Sequence, residues 1–144
     1  MSDRQKGENI MDIAQMNRAV IEQFRAGGPI DGMDRNTLLL LTTVGRKSGQ
    51  AHTTPLMFHR DDDRLLTIGG NLGAPTDPHW YLNVVAEPKV TVEVDDDSWA
   101  AIATPLSGAD RAAVWTMLEE TYPALAEQWR AVERTIPVVA LTKI

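Results

Sequence analysis

The most chemically capable stretch of the chain is Gly45-Arg46-Lys47-Ser48-Gly49, set between two apolar, threonine-rich runs that together span Leu38 to Phe58. Runs of Leu, Val, Thr and Phe on either side of a Gly-bounded polar insert predict strand, tight turn, strand. Arg46 and Lys47 are cations able to grip phosphate, and Ser48 and the turn N–H groups can donate to its oxygens. The glycines allow positive φ and close approach of the backbone to a ligand. The insert is therefore read as an anchor for an anionic cofactor, although the same residues also suit a solvated hairpin tip. It is neither G-x-x-x-x-G-K-[ST] nor G-x-G-x-x-G, so neither a P-loop nor a dinucleotide fingerprint is expected.

Other reactive groups are sparse. Three histidines, His52, His59 and His79, form no H-E-x-x-H, and the chain has no cysteine, so no metal site, disulfide or thiol chemistry is expected. There is no G-x-S-x-G elbow. Asp61-Asp62-Asp63 and Asp95-Asp96-Asp97 read as solvated turns rather than metal ligands. A chain short of its own reactive groups suits a cofactor that carries the chemistry. Gly69-Gly70-Asn71-Leu72-Gly73 weakens a strand, so it marks close backbone approach or a bending connector. Trp80 and Tyr81 stand next to it, with core filling expected for one of the two.

The elements that must position these groups follow from periodicity. Met11 to Ala26 is helical, with Ile13, Met16, Val20 and Phe24 on one face and Gly27-Gly28 as the stop. Its mixed charges (Asp12, Arg18, Glu22, Arg25) favour packing on the rest of the fold over lying on a membrane surface. Arg64 to Ile68 is the third strand. Asp77 as N-cap and Pro78 at the first helical position open a helix from His79 to about Val85. Lys89 to Asp95 alternates as a half-buried antiparallel strand, with Val90, Val92 and Val94 on one face. Trp99 to Pro105 is the next strand. Ser107 and Asp110 resemble a capping box before a helix that ends near Tyr122, where Pro123 interrupts. Ala124 to Arg134 is a second helical piece and Ile136 to Leu141 the last strand. About six mostly antiparallel strands with flanking helices predict an α+β, mainly β protein: a closed or partly closed barrel.

The chain has 144 residues, 43% hydrophobic, with a net charge of −6 and a pI near 5.0. That is one domain's length, read as a frayed polar tail at 1–10 and one unit at 11–144. The acidic balance argues against nucleic acid as the main partner. No signal peptide and no run of roughly 18 apolar residues is seen. The expected location is cytoplasmic, with peripheral membrane contact through the first helix as the alternative.

Three segments, GRKSGQ with TPLMF, GGNLG with DPHWYLN, and TYP with RTIPV, are together similar to the deazaflavin (coenzyme F-420)-dependent nitroreductase and quinone reductase family of split β-barrels. The resemblance covers about Leu38 to the C-terminus. It implies that Arg46, Lys47 and Ser48 hold the phosphate and acidic tail of the 8-hydroxy-5-deazaflavin. It implies that Thr53, Thr54, Pro55, Leu56 and Met57 lie along its ring. Ile68, Gly69, Gly70 and Asn71 would approach the ring and side chain, and His79, Trp80, Tyr81, Leu82 and Asn83 would close the site. Tyr122 would face the substrate side, where it would orient the acceptor or deliver a proton. Nitroimidazole-reducing members have a serine at the position of Gly70 and tyrosines at Leu125 and Gln128, so these three substrate-side positions differ here. They also carry an arginine in place of His52, a change that weakens the tail contact unless His52 is protonated. The implied reaction is hydride transfer from reduced F-420 to a quinone, or to an enone or nitroaromatic. An FMN enzyme on the same barrel and a non-enzymatic carrier of an apolar ligand are the alternatives.

Overall fold

The computed structural model describes residues 15–144; the tail at 1–10 and the start of the first helix lie outside them. Six strands, β1 (Leu38–Val44), β2 (Ala51–Asp61), β3 (Arg64–Ile68), β4 (Lys89–Val94), β5 (Asp97–Pro105) and β6 (Val138–Lys143), close into a barrel in the order β1-β2-β3-β6-β5-β4. Every pairing is antiparallel, and short turns require this of β1–β2, β2–β3 and β4–β5. The helices are α1 (15–26), α2 (His79–Ala86), α3 (Gly108–Thr121) and α4 (Pro123–Arg130).

The side-chain alternation of each strand separates an inside from an outside. Leu39, Leu41, Phe58, Leu65, Val90, Val92, Ala101, Ala103, Val139 and Leu141 fill the interior, joined by Trp80 and Val84 from α2. The outer face of β1 carries Leu38 and Leu40, which pack under Val20 and Phe24 of α1. That explains the unbroken run LLLL. A strand covered on both faces has no polar positions to alternate with, and all four leucines are buried. Each contributes roughly 1.5–3 kcal/mol by leaving water. The outer faces of β3 and β6 carry Leu66, Val138 and Ala140, which pack under Val114, Leu118, Ala126 and Trp129 of α3 and α4.

Arg35 fixes the end of α1. Its guanidinium donates to the carbonyls of Gln23 and Phe24 in the last turn and of Gly28 just beyond it, at 2.8–3.1 Å, where a helix runs out of backbone donors of its own. Arg25 of α1 pairs with Glu93 of β4 at 2.9 Å, and that hydrogen bond raises the Arg25 pKa further.

Four expected boundaries are corrected. Asp77 does not cap α2: Pro78 holds the cap position without a side-chain bond, because the Asp77 carboxylate takes Arg134 Nη1 at 2.8 Å. Ser107 stands at the cap of α3 but makes no cap hydrogen bond, and Asp110 faces Arg64 of β3 at 2.9 and 3.0 Å. Helix α4 stops at Arg130 rather than Arg134. The last strand starts at Val138 rather than Ile136, because Ile136 instead packs into the α3–α4 layer.

Candidate active site

The turn joining β1 to β2 is closed by its own backbone. Gly45 N–H donates to Gln50 O at 2.7 Å, and Gly49 N–H donates to Gly45 O at 2.8 Å. Gly49 has φ +71, a conformation that a side chain would strain. At Gly45 the reason for glycine is space: a Cβ there would lie 2.7 Å from Ser48 Oγ and 2.9 Å from His52 Nε2. The turn thus folds its serine and histidine back over a bare backbone.

Helix α2 comes up beside this turn and holds it. Asn83, which is buried, accepts from Arg46 N at 3.2 Å and from Arg46 Nη1 at 2.9 Å. Its amide donates to Thr43 Oγ1 of β1 at 3.2 Å. Arg46 Nη2 also lies 3.4 Å from His79 Nδ1. All these partners are neutral or titratable, and none is a carboxylate. Among the described residues neither Arg46 nor Lys47 makes an ion pair. The guanidinium is therefore oriented but not neutralised, which is the state an anion-binding site needs.

A groove of about 520 Å³ opens at this place, lined by Gly45, Arg46, Lys47, Ser48, His52, Thr53 and Thr54 from the hairpin and by His79, Trp80 and Asn83 from α2. That volume is ordinary for a cofactor site. Thr53 Oγ1 shares a hydrogen bond with Thr42 Oγ1 at 2.8 Å. The donor set, the un-neutralised cations and the Gly45 cradle fit a phosphate-bearing, carboxylate-tailed cofactor such as F-420.

The other expected site residues fall elsewhere. Leu56 faces the barrel interior. Tyr81 packs partly against the same core, edge-on to Trp80 with ring centroids 6.3 Å apart, and Leu82 is half-buried. Trp80, although it borders the groove, is chiefly a core residue at 5% exposure. Ile68 packs beneath α3 and α4.

Gly69 is forced by Pro137, whose Cγ would stand 2.6 Å from an added Cβ. Its N–H donates to Pro137 O at 2.8 Å. Gly70 lies beneath Trp129, 3.8 Å from its Nε1 for an added Cβ. Asn71 donates to Thr76 O at 2.9 Å. Leu125 packs in the α3–α4 layer, while Gln128 is exposed on α4.

Tyr122 sits at the junction of α3 and α4. Its ring packs against the α3–α4 layer, and its hydroxyl lies 2.8 Å from His59 Nδ1. The two rings meet edge-on at 89°.

Two contributors were missed by sequence reasoning, His59 and Arg134. Arg134 Nη2 donates to Gly69 O and Gly70 O, both at 3.1 Å, and its Nε donates to Ala74 O at 3.2 Å. It holds the glycine loop from 60 to 65 residues away, so no local spacing could reveal it.

The outer row of β2 links these places. Pro55 pairs with Leu40 and Met57 with Leu38 on the outer side of β1, and His59 pairs with Leu66, which faces α3 and α4. Thr53, Pro55, Met57 and His59 are each only partly buried, whereas their outer neighbours Leu38, Leu40 and Leu66 are buried under helices. The row is a partly exposed lane between two helical layers. It starts at the cationic groove and ends at Tyr122, roughly 20 Å along at about 3.3 Å per residue.

A family model described as F420H(2)-dependent quinone reductase matches residues 14–143. An F420H(2)-dependent quinone reductase of Mycobacterium tuberculosis is 34% identical over 108 residues, covering 73% of this chain and 72% of its own. The solved structure of an F420-H2 dependent reductase (FDR-A) superposes with a TM-score of 0.66 at 33% identity, over 78% of this chain and 99% of that one. A putative pyridoxamine 5'-phosphate oxidase from Listeria innocua shares the fold alone, with a TM-score of 0.52 at 15% identity over 74% of this chain and 83% of that one. The cationic hairpin groove, the split barrel and these similarities together establish that the chain belongs to the F420H(2)-dependent quinone reductase family.

Proposed function

We propose that the protein reduces a quinone with a hydride taken from reduced coenzyme F-420 bound along the β2 lane. The observation that carries this reading is the pair Arg46–Lys47, without carboxylate partners among the described residues, at the mouth of a groove of cofactor size. Bound there, the reduced deazaflavin supplies a hydride, two electrons with one hydrogen nucleus. A quinone that accepts it needs one further proton to become the hydroquinone. The chain's own residues bind, align and protonate. Arg46, Lys47 and Ser48 take the phosphate and tail carboxylates, with His52 beside them. Thr53, Thr54, Pro55 and Met57 form the floor along which the ring lies. Gly70, Leu125 and Gln128 bound the acceptor side, and Tyr122 orients the acceptor. Quinones come first as acceptors; nitroaromatics and enones are the secondary class.

The test is a titration with oxidised F-420, followed by anaerobic turnover with reduced F-420 and menadione. Saturable binding and hydroquinone formation are expected. Tight FMN binding without F-420 binding would overturn the reading in favour of a flavin enzyme. Retention of an apolar ligand by an Arg46→Ala/Lys47→Ala variant without any F-420 binding by the parent would point to a carrier.

We also propose a cytoplasmic protein whose first helix serves packing before any membrane contact. Among the described residues no helix is long and apolar enough to cross a membrane. Val20 and Phe24 are used against β1, which leaves Met16, 62% exposed, as the apolar residue α1 offers outward. Vesicle sedimentation of Met16→Gln against the parent tests this: equal partition supports the packing role.

A further inference from the structure

We infer that His59 is a positioning residue for Tyr122, and that the two act as one polar unit at the acceptor end of the β2 lane; this rests on the reductase reading above. Tyr122 is held by its backbone before its side chain is considered. Its N–H donates to Leu118 O and its carbonyl accepts from Ala126 N–H, both at 2.9 Å, so its Cα is fixed between two helices. One side of its ring lies in the apolar α3–α4 layer. The described partner of its hydroxyl is His59 Nδ1 at 2.8 Å, on a strand 63 residues away. His59 is only partly buried and lies in the same outer row as Thr53, which borders the cofactor groove.

The chemistry follows from which atom owns the hydrogen. If Nδ1 is bare, the phenol hydrogen points at the imidazole and nothing is left to give an acceptor. If Nδ1 carries a hydrogen, it donates to Oη, and the phenol hydrogen is free to point into the lane. In the resting protein Nδ1 carries the hydrogen. In turnover the quinone gains a hydride from the reduced deazaflavin and a proton from Tyr122 Oη. The phenolate regains its proton from Nδ1–H as Nε2 takes one from water, and exchange of the ring hydrogens with solvent returns the imidazole to its Nδ1–H tautomer. Net consumption is one hydride and one solvent proton per quinone, and the side chains end as they began.

A purely structural role for this bond would affect stability and leave turnover alone. Four proteins separate the two roles: His59→Phe, which keeps an aromatic edge but loses the bond; His59→Asn, whose amide reaches the Nδ1 position; Tyr122→Phe; and the His59→Phe/Tyr122→Phe double variant. F-420 affinity, and kcat and KM for menadione, are measured on each beside Tm. His59→Phe is expected to keep F-420 affinity within about twofold and to lower kcat about tenfold, the loss of one hydrogen bond of ordinary strength. His59→Asn should recover most of that loss. The double variant should be no slower than the slower single one, because members of one unit are not additive. Unchanged kcat in His59→Phe, or losses that multiply in the double variant, would overturn the inference.

Nitrogen-15 NMR of the cofactor-free protein gives a readout that needs no activity. A hydrogen on Nδ1 supports the assignment, and the Nε2-protonated tautomer sinks it. A parent protein that binds no F-420 or reduces no quinone refutes the proposed function instead, and the NMR result still decides the His59 assignment.

Discussion

Two glycine-rich turns of this protein each meet an arginine, one its own and one from a distant segment, and they use it in opposite ways. At the hairpin, Arg46 is held by the neutral amide of Asn83 and lies near the imidazole of His79, so its charge remains available. At the loop after β3, Arg134 meets the Asp77 carboxylate at 2.8 Å and three backbone carbonyls at 3.1–3.2 Å, so its charge is neutralised and its donors are occupied. Arg134 is 15% exposed and Asp77 32%. The lesson is that a cation beside glycines is a ligand site only when the fold orients it without pairing it. The hairpin leaves its guanidinium oriented and without a carboxylate among the described residues; the second loop is already closed by one.

The largest effect expected from this contrast is on cofactor affinity. Replacing Arg46 and Lys47 by alanine should weaken F-420 binding by roughly 1.5–3 kcal/mol per charged contact, about ten- to 150-fold for each. Tm should hardly move, since both side chains are exposed. Fluorescence titration with thermal melts checks both halves. A variant that melts early while binding F-420 normally would break the contrast.

Arg134→Met should do the reverse. It keeps the aliphatic stem but removes the bonds to Asp77, Gly69, Gly70 and Ala74. Stability should fall by roughly 1.5–3 kcal/mol, the range for hydrogen bonds to a charged group. Denaturant midpoints measure this, and F-420 affinity should change less than in the hairpin variant.

The glycines sharpen the same comparison at a smaller scale. Gly69→Ala drives a Cβ to within 2.6 Å of the Pro137 ring, which cannot rotate away. Overpacking of this kind costs roughly 1–3 kcal/mol. Gly45→Ala meets instead the ends of Ser48 and His52 side chains, which can swing aside. Its cost should therefore appear in F-420 affinity more than in Tm, because those two side chains leave their places at the groove.

The hairpin was legible in the sequence for a physical reason: strand, turn and strand are adjacent, and alternation and glycine speak within a dozen residues. The barrel order was partly legible, because short turns dictate antiparallel neighbours. Arg134 and His59 were not, since their partners lie 57 and 63 residues away and no periodicity records such a meeting. Asp77 and Asp110 were misread as helix caps for the same reason. Local rules place a carboxylate at a helix start, but each of these found a distant guanidinium instead. Gly69 was read as a place of close backbone approach or a bend, and Pro137 supplies the close approach.

Arg64 supplies the third and mildest case. It pairs with Asp61 at 2.9 Å and with Asp110 at 2.9 Å, and these hydrogen bonds raise its pKa above the usual arginine value. The same contact lowers the Asp110 carboxyl below its ordinary 3.8. A folded-state pKa below the unfolded one means the pair adds stability above the unfolded value and loses it as pH falls through the folded one. Asp110 is half-exposed, at 53%, and surface pairs of this kind are weak and screened by salt. Asp110→Asn should therefore lower Tm only slightly at neutral pH. The gap between variant and parent should close in high salt and on the acid side of the carboxylate range. A gap that persists in both conditions would mean that the pair organises the start of α3 by shape rather than charge, and that neutralised arginines here do more than balance carboxylates.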